Sequence, residues 1–157
     1  MIRHFTASAF VIDSKKRILL LWHKKAQRWM PPGGHIDANE LPEDATKREC
    51  KEEAGLDVEI LGETQGDFFK ENPLEGKMLK KPFALLLEEI EARPIHDEPA
   101  HQHIDFVYLA KPLDENQVLI LQEQEGEELR WFTAKEVQLL PEVSIYANVR
   151  SFILQAL

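Results

Sequence analysis

Residues 34–56 read GHIDANELPEDATKRECKEEAGL. The pattern predicts a loop and a turn, then a helix that opens at Leu41-Pro42 and carries Arg48, Glu49, Glu52 and Glu53. Pro42 suits the first turn, where its missing N–H removes nothing. Glu43 and Asp44 follow at the positive end of the helix, and Gly55 stops it. At about 100° per residue, Glu49, Glu52 and Glu53 fall within roughly 100° of one another. Like charges one turn apart destabilise a bare helix. A divalent cation reverses that sign, and an oxygen-only donor set suits Mg²⁺ or Mn²⁺ with waters completing the shell. Taken alone, such an acidic face is more often simply solvated.

The whole stretch is more specific than its helix. It fits G-x5-E-x7-R-E-U-x-E-E-x-G-U, with U apolar, at Gly34, Glu40, Arg48, Glu49, Cys50, Glu52, Glu53, Gly55 and Leu56. In a chain this rich in Glu, a chance match is on the order of one in a million. The stretch resembles the Nudix box and matches it at every position; Cys50 is a less usual apolar choice, but a buried Cys acts as a small hydrophobe. The resemblance implies an α/β fold, the Nudix α/β/α sandwich with a mixed sheet. It implies metal-dependent hydrolysis of a phosphoanhydride in a nucleoside diphosphate linked to another moiety, with Mg²⁺ or Mn²⁺ as cofactor. Glu52 and Glu53 then look like the principal metal ligands, joined by the Gly33 carbonyl. Glu49 ligates a further ion or acts as general base. Arg48 orients a glutamate by a charge-assisted bond, and Glu40 holds the loop or reaches water at the metal. In some family members the base lies on a later loop, for which Glu98, Glu123, Glu125, Glu127 and Glu128 are candidates here.

Composition sets the outer bounds. A chain of 157 residues, 43% apolar and 30% charged, is expected to form one soluble domain over residues 1–157. One cysteine excludes an internal disulfide and suits a reducing compartment, the cytoplasm. The start, MIRHFTASAFVID, reads as a strand and not as a signal peptide, since Asp13 interrupts it and no cleavage pattern follows. No stretch approaches the roughly 20 apolar residues of a membrane span. A net charge of −9 argues against a long nucleic acid held by phosphate contacts. The expected partner is a small phosphorylated, nucleotide-derived substrate, bound by a monomer or homodimer.

Outside the box, Phe5–Ile12 and Arg17–Trp22 read as a hairpin around the turn Asp13–Lys16. His23, Lys24, Lys25, Gln27 and Arg28 form a basic loop leading into Pro31-Pro32-Gly33-Gly34. It is either a solvated turn or a phosphate clamp, with Lys24 and Arg28 as its substrate contacts. Asp57–Glu63, Gln65–Phe69, Phe83–Ala92, Val118–Leu121 and Leu129–Phe132 read as strands, and Lys70–Lys81 as a loop. In His101–Ala110 (HQHIDFVYLA), alternation sets His101, His103 and Asp105 on one face, against solvent or substrate, with a transition-metal cluster as the lesser possibility. Thr133-x-x-Glu136 is a capping box, Ser144 a cap for the last helix, and Ile145, Val149, Phe152, Ile153 and Ala156 its apolar stripe.

The identity of the substrate is weakly marked. No SQPW stretch of the NADH-cleaving branch occurs, no tyrosine follows the box before Tyr108, and Pro73 is off the spacing of the ADP-ribose branch. Two other classes share the fold. One is a non-hydrolytic, nucleotide-sensing Nudix domain, which usually loses box carboxylates that this chain keeps. The other is an isoprenoid diphosphate isomerase, which would want a reactive cysteine where this chain offers only Cys50.

Overall fold

The computed structural model describes residues 1–64 and 74–157. Its strands are β1 (Arg3–Val11), β2 (Arg17–His23), β3 (Arg28–Met30), β4 (Gly33–His35), β5 (Val58–Leu61), β6 (Ala84–Ile90), β7 (His101–Pro112) and β8 (Gly126–Thr133). Three helices join them: α1 (Pro42–Ala54), α2 (Ala134–Leu139) and α3 (Ala147–Ala156).

Thr6–Val11 of β1 are all buried, and a central strand of that kind needs partners on both edges. β1 has them in β4, antiparallel, and β7, parallel. β7 is long enough to take two strands on its far edge. β6 pairs with its first half and β5 with its last residues, both antiparallel. The sheet is therefore mixed. A second sheet runs β3-β2-β8.

The expected hairpin between the first two strands does not form. Asp13 builds the turn, its carboxylate taking the Lys15 and Arg17 amides and the Arg17 guanidinium, but one bridge, Ile12 to Ile18, is all that joins the two strands. β2 then enters the other sheet. Ile18–Leu21 are as buried as the residues of β1, so each strand takes both of its edges from elsewhere. Two cores result. Ala9, Val11, Cys50, Ala54, Leu56, Ile60 and Tyr108 pack where α1 lies on the first sheet. Phe10, Ile18, Leu20, Phe132, Val137, Val149 and Ile153 pack on the side of α2 and α3. The helices thus flank the sheets as an α/β/α sandwich.

α1 starts and stops where its sequence requires. Leu41 is the N-cap with Pro42 directly after it, and Gly55 ends the helix in the left-handed region at φ 70°. The capping box of Thr133 and Glu136 forms. Ser144 does not cap α3: its hydroxyl donates to the Pro141 carbonyl inside a short 3₁₀ turn, and Tyr146 takes the cap position. Val118–Leu121 is no strand. Its Ile120 N–H reaches the Ala54 carbonyl at the end of α1 at 2.9 Å, and the N–H of Gln122, just after it, reaches the Glu53 carbonyl at 3.1 Å. The basic loop is shorter than expected, since His23 ends β2 and Arg28 begins β3. Gly33 and Gly34, read as loop, lie in β4. The expected strand Gln65–Phe69 and Pro73 fall outside the described residues. No helix among the described residues is long and apolar enough to cross a membrane.

Candidate active site

The buried stripe of α1 is Ala45, Thr46, Glu49, Cys50, Glu53 and Ala54. Two of the three box carboxylates therefore sit on the face that packs against the sheet, interleaved with small residues that let helix and sheet approach. Glu53 is 3% exposed and Glu49 9%, whereas the Glu52 side chain is 53% exposed. Burial, the carboxylates of Glu49 and Glu125 and a hydrogen bond shared with Glu125 push the Glu53 carboxyl up; the Gly33 N–H, 2.9 Å from Glu53 Oε2, pulls against them. Glu49 is also raised, first by burial, with Arg48 opposing.

The two glycines ahead of α1 are tight for different reasons. A Cβ on Gly34 would lie 2.5 Å from Glu49 Oε1, while one on Gly33 would lie 2.6 Å from Ser8 Cβ and 2.8 Å from the Ala7 carbonyl oxygen. β4 thus passes directly over the carboxylates, and only because it lacks side chains there.

Arg48 is the hub behind these groups. Its Nε and Nη2 donate to Glu40 at 3.0 and 2.9 Å, its Nη2 to the His35 carbonyl at 2.9 Å, and its Nη1 to Glu49 at 2.7 Å and Glu52 at 3.2 Å. Glu40 in turn accepts from the Asp37 amide, and the Arg48 bond holds its carboxyl below the usual range.

The cluster fits a hard divalent cation. Its donors are carboxylate oxygens, two of them nearly dry and mutually repelling, and the adjacent Gly33 backbone approaches within hydrogen-bond distance of one of them. Cys50, between them, is fully buried, and burial raises its thiol well above the ordinary range. It has no route to act as a nucleophile, which leaves the isomerase reading without its reactive group.

Glu53 faces a cavity of about 770 Å³, with Gly33, His35, Asp105, Glu125 and Arg28 also in its wall. Among the expected site residues, Glu53, Gly33, Arg28, His103 and Asp105 line this cavity, whereas Glu40, Arg48, Glu49, Glu52, Lys24 and His101 are outside the lining. Lys24 instead donates its ammonium to the Glu123 carbonyl, and its amide to the Glu125 carbonyl at 2.8 Å. It ties down the loop that brings Glu125 to Glu53. Arg28 donates to the Val143 carbonyl and stacks on Tyr146, 4.6 Å from the ring centroid. Asp105 accepts from Thr6 at 2.9 Å and Ser8 at 2.7 Å, and burial raises its carboxyl.

The histidines converge more than the sequence indicates. His101 and His103 share one face, as alternation requires, and the parallel register sets His4 beside His103. His35 joins them from β4, its ring 5.0 Å from those of His4 and His103. Burial and the three neighbouring imidazoles push His103 down to about 4, and His35 is lowered by burial and by His4 and His101. His4, His35, Thr6 and Ser8 carry no sequence signal that would mark them, because β1 meets β7 by strand pairing across about a hundred residues and His35 joins only through the pairing of β4 with β1. Glu125 and Glu98 were two of five later glutamates; both line the cavity, and the other three do not.

Known proteins resemble this chain over most of its length. A NUDIX domain model matches residues 2–151. A crystal structure of a NUDIX-family hydrolase from Clostridium perfringens is 35% identical, covers 99% of this chain and 97% of its own, and superposes with a TM-score of 0.80. A probable DHNTP pyrophosphohydrolase from Lactococcus lactis subsp. cremoris is 32% identical over 87% of this chain and 66% of its own length. An RNA pyrophosphohydrolase from Marinomonas sp. is 44% identical over 61 residues, 36% of this chain. The match spans only 38% of that relative's length. With an unbroken box on α1, a domain match over nearly its whole length and a fold that superposes end to end on a known member, this chain belongs to the Nudix hydrolase family.

Proposed function

We propose that the protein hydrolyses a phosphoanhydride bond in a nucleoside diphosphate linked to another moiety, using Mg²⁺ or Mn²⁺. The observation that carries this reading is Glu53, a buried carboxylate facing the cavity with Glu49 and Glu125 against it. Three carboxyl groups gathered this closely out of water are costly unless a cation or a proton joins them.

In this reading Glu52, Glu53 and the Gly33 carbonyl hold the cation, and Glu49 takes a further one. A divalent ion there would neutralise phosphate charge and polarise the bond to be broken. The chain's own groups do the rest. Arg48 orients Glu49 and Glu52 by its forked bonds, and Glu40 fixes Arg48 from the other side. Geometry favours Glu125 over Glu49 as acceptor of the attacking water's proton, since Glu125 lines the cavity and Glu49 is bonded to Arg48. Arg28, His103 and Asp105 are the substrate contacts in the wall. The lone buried Cys50 suits a cytoplasmic, reducing setting.

A pyrophosphohydrolase screen tests this. It would span ADP-ribose, dinucleoside polyphosphates, NADH, CoA, nucleotide sugars, and standard and oxidised nucleoside triphosphates, each with Mg²⁺ or Mn²⁺. Dihydroneopterin triphosphate and an RNA are added because the names of similar proteins mention them. The expected result is strong, metal-dependent turnover of a small nucleotide. Binding of metal with no turnover of any substrate would favour the nucleotide-sensing reading instead.

A further inference from the structure

We propose that His4, His101 and His103 form a second metal site, for a transition-metal ion of the Zn²⁺ type, with Glu98 as the oxygen ligand completing it. The site differs in chemistry from the carboxylates of α1, although His103, read above as a substrate contact, and Glu98 line the same cavity as Glu53.

Three imidazole nitrogens, one from each of these residues, lie within 4.8 Å of one another. The closest pair, His101 Nε2 and His103 Nε2, is 3.0 Å apart. Two nitrogens on one tetrahedral zinc stand about 3.3 Å apart, given Zn–N of roughly 2.0–2.1 Å, so that pair needs only a slight opening. The tautomer of His101 is set by its other nitrogen. Nδ1 lies 2.8 Å from the Pro99 carbonyl, which can only accept, so Nδ1 carries the proton and Nε2 turns a lone pair toward His103. A ligating histidine is usually held in this way, its far nitrogen bonded to a carbonyl that fixes ring and tautomer. In the metal-free protein the proton of His103 Nε2 fills the gap, and a metal ion would replace it.

The remaining parts are in place. Glu98 Oε1 is 3.7 Å from His101 Nε2, while Glu98 Oε2 is anchored by Arg93 at 3.3 Å. His35 Nε2, 3.1 Å from His4 Nδ1, steadies the remaining ring. His101 is 4% exposed, so it is aimed inward at the other two rather than left to water. Nitrogen ligands favour Zn²⁺, Co²⁺ or Ni²⁺ over Mg²⁺, which prefers oxygen. The two sites therefore select different ions from one solution.

The test is a Co²⁺ titration of the full-length, metal-free protein in excess Mg²⁺, followed by visible absorption and by Zn²⁺ displacement. One equivalent should bind with the intense bands of a tetrahedral site, with Kd in the micromolar range or tighter. His103→Ala should weaken binding by at least about tenfold, and Glu53→Gln should leave it unchanged. His4→Ala is the second variant, decisive if His103→Ala does not fold by circular dichroism. Binding no tighter than millimolar, bands lost in Glu53→Gln, or bands unchanged in a folded histidine variant would overturn the proposal. None of these readouts depends on turnover, so a failed substrate screen does not bear on it.

Discussion

The carboxylates of α1 and the histidines of β1, β4 and β7 are two ways of gathering like groups. The first set comes from one helix, where residues three and four apart meet on one face, so a few turns of sequence define it. The second comes from chain positions 4, 35, 101 and 103, and only strand pairing brings them together. The carboxylates repel one another, and Glu49 and Glu52 lean on Arg48. The imidazoles can stay neutral and bond among themselves. A cluster written in one element is conspicuous in the sequence and electrostatically costly, whereas one written across a sheet is inconspicuous and electrostatically cheap.

The sharpest break of this contrast is Glu53→Gln. Turnover should fall by at least about a hundredfold while far-UV circular dichroism stays native; a well-folded, active variant would remove Glu53 from the chemistry. Next come the neighbouring glycines. Gly34→Ala pushes its Cβ against the far end of the Glu49 side chain, which can move, so thermal stability should hold while kcat falls by about tenfold or more. Gly33→Ala meets Ser8 and the Ala7 backbone, which cannot give way, and should cost about 2 kcal/mol or more in urea unfolding. Equal behaviour of the pair would mean that β4 does not position Glu49.

A third comparison uses the cation as ligand. Mg²⁺ at about a hundred times its Kd should stabilise the wild type by about 2.7 kcal/mol, seen as a higher Tm that EDTA reverses. Glu53→Gln should lose this gain and His4→Ala should keep it. The smallest effects belong to the basic loop. Arg28→Ala should raise KM by about two- to fivefold, because Arg28 lines the cavity. Lys24→Ala should lower kcat by a similar factor with KM unmoved, because Lys24 holds the loop of Glu125. Raised KM in Lys24→Ala would return it to the role of phosphate contact.

What was legible in the sequence follows the same division. α1 could be read to the residue because Pro42 and Gly55 bound it locally, and the alternation of β7 is a property of one strand. Edges could not be read. Arg17–Trp22 looks like the return of a hairpin, yet Ile18–Leu21 are buried on both faces and need two partners of their own. Val118–Leu121 has strand composition, but the amides of Ile120 and of Gln122 after it go to carbonyls that α1 leaves open at its end. In both cases the local pattern was right about burial and silent about the partner. Glu125 was one of several equivalent glutamates until the loop laid it beside Glu53.

Arg48 gives the resting protein a counter-ion of its own. Its Nη1 serves Glu49 and Glu52, while Nε and Nη2 stay with Glu40 and the His35 carbonyl. Divalent ions taking Glu52 and Glu49 would claim the partners of one nitrogen and leave the others docked. Loading would then be an exchange of one positive charge for another at Glu49 and Glu52, with the guanidinium kept alongside, so that these two glutamates would keep a counter-ion with or without the metal.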